Sequence, residues 1–256
     1  MKNTIASAVI TAYVWLAFLV TIIPFFVIYL IIWIITYPFD KKLMYCHYFV
    51  SLWAGFLILI NPWWKVTIEN RFRVEKDQVY IMLSNHQSLL DILAIYQLYF
   101  PFRCISKQEL FRIPLLGWVL YLNKYIPVIR GDKASKEKMI RHAVRSLNQG
   151  ISILIFPEGT RSRDGNMGEF HEGAFNIALE SKAVMLPVII DGTYNALPRN
   201  SFLFRGKQHI VVKVLDTVKP EDYSSLPLPM MIKNMEVLMN EELTRLRNEN
   251  IILRHA

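Results

Sequence analysis

Charge is missing from the beginning of this sequence and cysteine is scarce throughout it. Between Lys2 and Asp40 no charged side chain occurs, so residues 3–39 form 37 consecutive uncharged positions, most of them Ile, Leu, Val, Phe, Trp or Tyr. A helix crosses the hydrocarbon core of a bilayer with about 20 apolar residues. A secretory signal peptide carries an apolar core of only roughly 7–15 residues and a small-residue cleavage site. The run is too long for the latter and its end is dominated by large residues, so it reads as a retained membrane anchor. The two cysteines, Cys46 and Cys104, lack metal-ligand spacing, and Cys46 lies in an apolar stretch. They are expected to be buried thiols rather than a disulfide or a metal site. Internal repeats, low-complexity tracts and nucleic-acid-binding motifs are also absent, which removes solenoids and nucleic-acid binding from consideration.

The chain has 256 residues, 53% of them apolar, and a formal net charge of +8. Lys2, Lys41, Lys42 and Lys65 against Asp40 give +3 for residues 1–65, which leaves +5 for the rest. A basic domain tethered to a bilayer is attracted to anionic headgroups and phosphorylated substrates.

Two units are expected: residues 1–63 as membrane-anchoring helices and 64–256 as an α/β domain ending in an amphipathic helix. Pro24 interrupts the first apolar run, and residues 43–60 form a second of 18 residues closed by Asn61-Pro62. One kinked span and a two-helix hairpin both fit, since proline kinks a helix interior. Lys41, Lys42, Trp63 and Trp64 would serve as interfacial anchors. After residue 64 short β-type runs alternate with helical ones. Strands are predicted at 79–83, 103–105, 125–129, 151–156, 184–190 and 210–215, with Pro127 placing the third at an edge or bulge. Helices are predicted at 88–98, 135–149 (stopped by Gly150), 172–181 and 229–248. This alternation argues for a mostly parallel sheet flanked by helices.

Two motifs carry chemistry. The first, Asn85-His86-Gln87-Ser88-Leu89-Leu90-Asp91, follows the strand at 79–83. Sites in open α/β sheets form beyond the carboxyl ends of strands. Five residues turn an ideal helix by about 500°, leaving His86 and Asp91 roughly 140° apart. His86 must therefore precede the helix, with Asp91 inside it reaching back to the ring. A carboxylate on one imidazole nitrogen fixes the tautomer and frees the other to accept a proton. The competing view makes His86 a helix cap and Asp91 a solvated carboxylate. The second motif, Phe156-Pro157-Glu158-Gly159-Thr160-Arg161-Ser162, follows the strand at 151–156. Gly159 allows close backbone approach to a ligand. Thr160, Arg161 and Ser162 offer donors for phosphate, arginine bidentately. The competing view is an exposed turn with a surface arginine.

Together these motifs resemble the glycerolipid acyltransferase family, specifically the 1-acylglycerol-3-phosphate acyltransferases, over about residues 64–215. NHQSLLD is similar to that family's histidine–aspartate block and FPEGTRS to its phosphate-binding block. Residues 125–130 (YIPVIR), 185–189 (MLPVI) and 106–118, from Ser106-Lys107 to Trp118, are similar to weaker blocks. The arginine block departs from the pattern: Leu122-Asn123-Lys124 stands where the family usually opens with glycine.

The resemblance implies transfer of an acyl chain from acyl-CoA or acyl-carrier protein to lysophosphatidate, giving phosphatidate. His86 would be the general base, oriented by Asp91. Arg161, with Lys107 and Arg130 in support, would bind the acceptor phosphate, and Glu158 and Gly159 would shape the pocket beside Thr160 and Ser162. Lys107 and Arg130 also fit simple surface cations. No metal or other cofactor is expected, because the thioester is already activated and no second histidine lies near His86. Rival readings are another lysolipid or an amino-acid lipid as acceptor, a thioester hydrolase, and a non-catalytic lipid-binding membrane protein. With no leader besides the anchor and with cytosolic thioester donors, the domain is expected on the cytoplasmic face. His171 is expected to start a helix or line the site, the other histidines and the Asp191-Gly192 turn to serve structure, and the Met-rich stretch 228–239 to pack or touch membrane rather than bind a cofactor.

Overall fold

Residues 79–83 are apolar at every position, a pattern that suits a strand covered on both faces. In the computed structural model, which describes residues 2–255, they supply most of β2 (Tyr80–Ser84), the central strand of a seven-stranded sheet. The other strands are β1 (Trp64–Glu69), β3 (Phe102–Lys107), β4 (Ile126–Val128), β5 (Ser152–Ile155), β6 (Val184–Asp191) and β7 (Gln208–Val214). Their order across the sheet is β1-β7-β6-β2-β5-β3-β4. Every neighbouring pair is parallel except β6 with β7. The α/β class and the mostly parallel sheet are as the sequence predicts. Pro127 lies on β4 at the sheet edge, where a missing N–H breaks no ladder.

Strand periodicity sends alternate side chains to opposite faces, and two cores result. Tyr80, Met82, Leu154, Leu186, Val188 and Val212 enter one. Ile81, Leu83, Ile153, Ile155, Met185 and Ile189 enter the other. The first is covered by α1 (Lys2–Thr36), α2 (Met44–Leu59) and α3 (Asp91–Tyr96). The second is covered by α5 (Lys133–Asn148), α6 (Gly173–Ser181) and α9 (Leu228–His255). Three short helices complete the set: α4 (Leu116–Leu122), α7 (Thr193–Ala196) and α8 (Pro220–Tyr223).

Local chemistry sets several boundaries. The Asp132 carboxylate accepts the Ser135 N–H at 2.6 Å and caps α5, and Gly150 at φ +74° ends it in the left-handed conformation. Met231, Met235 and Met239 of α9 pack into the second core, the first of the two roles open to the Met-rich stretch. Gly192, at φ +92°, turns the chain from β6 into α7. A Cβ there would lie 2.2 Å from the His209 carbonyl oxygen, so only glycine lets the two segments come this close.

The N-terminal segment is a helical hairpin. The first helix continues through Pro24, and the chain reverses between Tyr37 and Leu43. Trp64, expected at a membrane interface, is instead buried at the start of β1, where its ring packs 5.4 Å from Phe204. Residues 64–69 were not foreseen as a strand, because Trp63-Trp64 reads as the end of an anchor. Helix α2 shares the first core with the sheet through Cys46, Val50 and Ala54. Both cysteines are free and buried, as expected.

Candidate active site

The residues after β2 do not continue into a helix at once. Asn85 pins the strand end to β6, its amide donating to the Ile190 carbonyl and accepting the Ile190 N–H, both at 2.8 Å. The chain then wraps around one carboxylate. Asp91 is the first residue of α3 and is fully buried. Its Oδ2 accepts the His86 ring at Nδ1 (2.7 Å) and the N–H groups of Gln87 (2.7 Å) and Ser88 (2.8 Å). Its Oδ1 accepts the Thr193 hydroxyl. The acceptor-only carboxylate makes Nδ1 the protonated nitrogen, which leaves the lone pair on Nε2. His86 thus precedes the helix, as the spacing requires, and keeps some solvent access, its side chain 17% exposed.

The loop after β5 holds the same histidine by its main chain. The Glu158 carboxylate accepts the His86 N–H at 2.7 Å, and the Ser162 N–H donates to the His86 carbonyl at 2.7 Å. The Phe156 ring stacks on the imidazole at 4.1 Å with 21° between planes. Glu158 spends its other oxygen on the Gly168 N–H at 2.8 Å. The Ser162 hydroxyl closes the following turn, accepting the Gly165 N–H at 2.9 Å and donating to Asp164 at 3.1 Å. Glu158 and Ser162 therefore brace the loop. Gly159 adopts φ +63°, and the space a Cβ would need is filled by His171, whose Cδ2 would lie 2.9 Å away. Its glycine character answers to the turn and to His171.

Arg161 and Arg199 lie together beside this pair, the Arg199 guanidinium donating to the Arg161 carbonyl at 2.7 Å. Arg130, at the end of β4, is close enough to depress the pKa of Arg161, as is Arg199. For Arg161 and Arg130 alike the main cause of the lowered pKa is burial, followed by the neighbouring Arg199 charge. None of the three arginines forms an ion pair among the described residues. Lys107, at the end of β3, is paired with Glu109 at 3.0 Å and is exposed. Glu109 acts on the pKa of Arg130 and Asp91 on that of Arg161 in the opposite direction, but with no ion pair at any of the three arginines the surplus positive charge suits an anion.

A family model described as acyltransferase matches residues 65–191, the span that holds both motifs. A 1-acyl-sn-glycerol-3-phosphate acyltransferase of Chlamydomonas reinhardtii is 32% identical over 235 residues, 86% of this chain and 70% of that protein. The chain belongs to the acyltransferase family. The chloroplastic 1-acyl-sn-glycerol-3-phosphate acyltransferase of Arabidopsis thaliana is 34% identical over 178 residues, 68% of this chain. That match spans about half, 49%, of the Arabidopsis protein's length. Among solved structures, the 1-acyl-sn-glycerophosphate acyltransferase PlsC of Thermotoga maritima superposes with a TM-score of 0.81 at 25% identity, covering 96% of this chain and 98% of that one.

Several residues of the candidate site were not visible as site residues in the sequence. Thr193 and Gln87 enter through tertiary contacts alone; Gln87 donates to the Gly165 carbonyl at 3.1 Å. Asp191 does lie in a turn after a strand, but it also binds Arg247 of α9 at 3.0 Å. Arg247 in turn holds Asn166 at 2.9 Å, tying the far helix to the loop. Only the run Thr193-Tyr194-Asn195 after a strand and glycine hinted at a turn placed near other strand ends.

Thr193 bonds Asp91 and not the imidazole, so any effect it has on His86 passes through that carboxylate. A hydrogen bond to a charged group is worth about 1.5–3 kcal/mol. Thr193→Val should therefore lower kcat of acyl transfer roughly tenfold or more with little change in KM, while Thr193→Ser retains most activity; steady-state kinetics on both variants checks this. Burial raises the pKa of Glu158 from 4.5 to about 7, against the lowering effect of the two N–H groups it accepts. A carboxyl with a raised native pKa keeps its proton while the unfolded chain releases it. Stability should then fall as pH rises from about 4.5 to about 7. The fall should be smaller in Glu158→Gln, as thermal unfolding at pH values on both sides of that window would reveal.

Proposed function

We propose that the protein transfers an acyl chain from an acyl thioester to the free hydroxyl of 1-acylglycerol-3-phosphate, giving phosphatidate. The observation that carries this reading is an oriented imidazole whose main chain is gripped by the loop that bears Arg161, with the Arg199 guanidinium on the Arg161 carbonyl and no ion pair to either arginine among the described residues. The names of the relatives support the same acceptor. Nε2 of His86 takes the proton from the acceptor hydroxyl as that oxygen attacks the thioester carbonyl. The carbon–sulfur bond then breaks, and the departing thiolate recovers the proton from the imidazolium. Asp91 stabilises the imidazolium in between. General-base assistance of this kind contributes about 10²–10⁴ in rate. Arg161, Arg199 and Arg130, with Lys107, would hold the acceptor phosphate, and part of the rate would come from that positioning. Neither a metal nor another cofactor is called for, since the thioester supplies the activation. Both acyl-CoA and acyl-carrier protein fit the role of donor.

Membrane association rests on α1, in which an 18-residue stretch within Ile5–Thr36 has a mean hydropathy of 2.9 and is only 17% buried. We further propose that this helix lies in one leaflet rather than crossing. Its N-terminal part meets the domain where Thr11 accepts the Phe204 N–H at 2.9 Å, and its far end meets it where Lys124 lies 5.3 Å from the centre of the Tyr37 ring. Contact at both ends suits a helix laid along the domain. The proposed side is the cytoplasmic face, on the ground that acyl thioesters are cytosolic.

The test is product analysis with lysophosphatidate and either acyl thioester, the protein being held in detergent or lipid. Acylated lipid supports the proposal, whereas free fatty acid alone favours hydrolysis. Arg161→Ala should raise the KM for the phosphorylated acceptor about tenfold or more, with a smaller effect on kcat. A change confined to the thioester donor would remove Arg161 from the phosphate site.

A further inference from the structure

The segment between β3 and β4 carries a candidate phosphate ligand at each end, Lys107 and Arg130, and a turn-and-helix between them. Residues Gln108–Arg112 form a short 3-10 turn, on which α4 folds back. Gly117 permits that fold: a Cβ there would lie 2.3 Å from the Phe111 carbonyl oxygen. The folded segment buries Gly117 and Val119 and turns Trp118 and Tyr121 outward, 52% and 75% exposed. Ile113 before the helix and Ile129 after β4 are exposed as well. Two large aromatics turned outward one helical turn apart leave apolar surface in water, and Tyr121 is the more exposed of the two.

This patch continues the apolar face of α1. The Trp118 ring lies 5.5 Å from Phe26 of α1, and Lys124 reaches over Tyr37 just beyond the end of that helix. Residues 107–130 hold four cations, Lys107, Arg112, Lys124 and Arg130, against the single anion Glu109. Trp and Tyr flanked by Lys and Arg are the composition that settles at the headgroup level of a bilayer, and the surplus positive charge suits anionic lipid.

We propose that residues 108–129 are a second membrane-contacting element, in which Trp118, Tyr121, Ile113 and Ile129 enter the headgroup region of an anionic leaflet beside α1. The element fixes the depth of the site: its two ends hold Lys107 and Arg130 at the level of lipid phosphates, and the acceptor reaches His86 sideways from the leaflet. The proposal rests on the reading of α1 as a membrane helix, and its test separates the two.

The test uses full-length protein in vesicles of phosphatidylcholine and phosphatidylglycerol, with an environment-sensitive fluorophore on single introduced cysteines. Cys46 and Cys104 are buried, which directs the label to the new site. Labels at Tyr121→Cys, at Ile23→Cys on the outer face of α1 and at Val237→Cys on the opposite helical layer are compared. The label at position 121 should be blue-shifted and quenched by brominated lipid as at position 23, with the label at 237 quenched by aqueous iodide. Quenching at 23 but not at 121 overturns the proposal while leaving the membrane reading of α1 intact; quenching at neither overturns both. A second readout uses the Trp118→Ser, Tyr121→Ser double variant. Its apparent KM should rise about tenfold for vesicle-borne lysophosphatidate and stay within about twofold for a water-soluble short-chain acceptor. Equal effects on the two acceptors contradict the proposal.

Discussion

A carboxylate with no access to water must be satisfied by hydrogen bonds or it does not stay charged, and the site depends on how Asp91 meets that demand. Four donors surround it: the His86 ring, two successive main-chain N–H groups and the Thr193 hydroxyl. The first three come from the turn between β2 and α3, and the fourth comes from the turn after β6. One buried charge therefore fixes the tautomer of the histidine, the path of residues 86–90 and the docking of a strand end distant in sequence. The five-residue spacing follows from this geometry, because the intervening residues must curl around the carboxylate for their N–H groups to reach it.

The second motif works as the other half of the same clamp. Glu158 takes the His86 N–H and the Ser162 N–H gives to its carbonyl, so the loop after β5 grips the main chain that the carboxylate positions from within. Phe156 limits the ring from one side. Strand order makes this possible: β2 and β5 are direct neighbours, and their following loops meet at the carboxyl edge of the sheet. The Arg161 and Arg130 guanidinium groups make no ion pair among the described residues, and Arg199 spends one donor on the Arg161 carbonyl; this is the charge that the proposed function gives to the acceptor phosphate.

Much of this was legible in the sequence, for reasons that are local. The all-apolar run at 79–83, the helical face of 135–149 and the stop at Gly150 depend on periodicity and on glycine, and these elements lie where the pattern places them. The requirement that His86 precede the helix came from counting residues per turn. Other features were illegible because they arise from tertiary contact. Trp64 looks like an interfacial anchor until β7 is placed beside it. Helix α4 is too short to show a period, and its path is set by the Gly117 contact. Thr193 and Arg199 join the site from beyond β6 through single bonds that no spacing rule announces. Gly159 was read as an opening for a ligand, whereas the gap is filled by His171 from the same loop.

The hairpin of α1 and α2 and the sheet share one apolar core, so anchoring and the site are mechanically joined. A site set at a bilayer surface meets its lipid acceptor already concentrated and oriented, and the remaining chemical task is removal of one proton as the thioester is attacked. In the proposed reaction that task would fall to Nε2 of His86. The most direct measurement is the single-turnover rate of acyl transfer to lysophosphatidate by His86→Ala in lipid, with folding verified by unchanged thermal unfolding. A loss of about 10²–10⁴ relative to the unaltered protein is expected if His86 is the base. A rate within roughly threefold of the unaltered protein would contradict it.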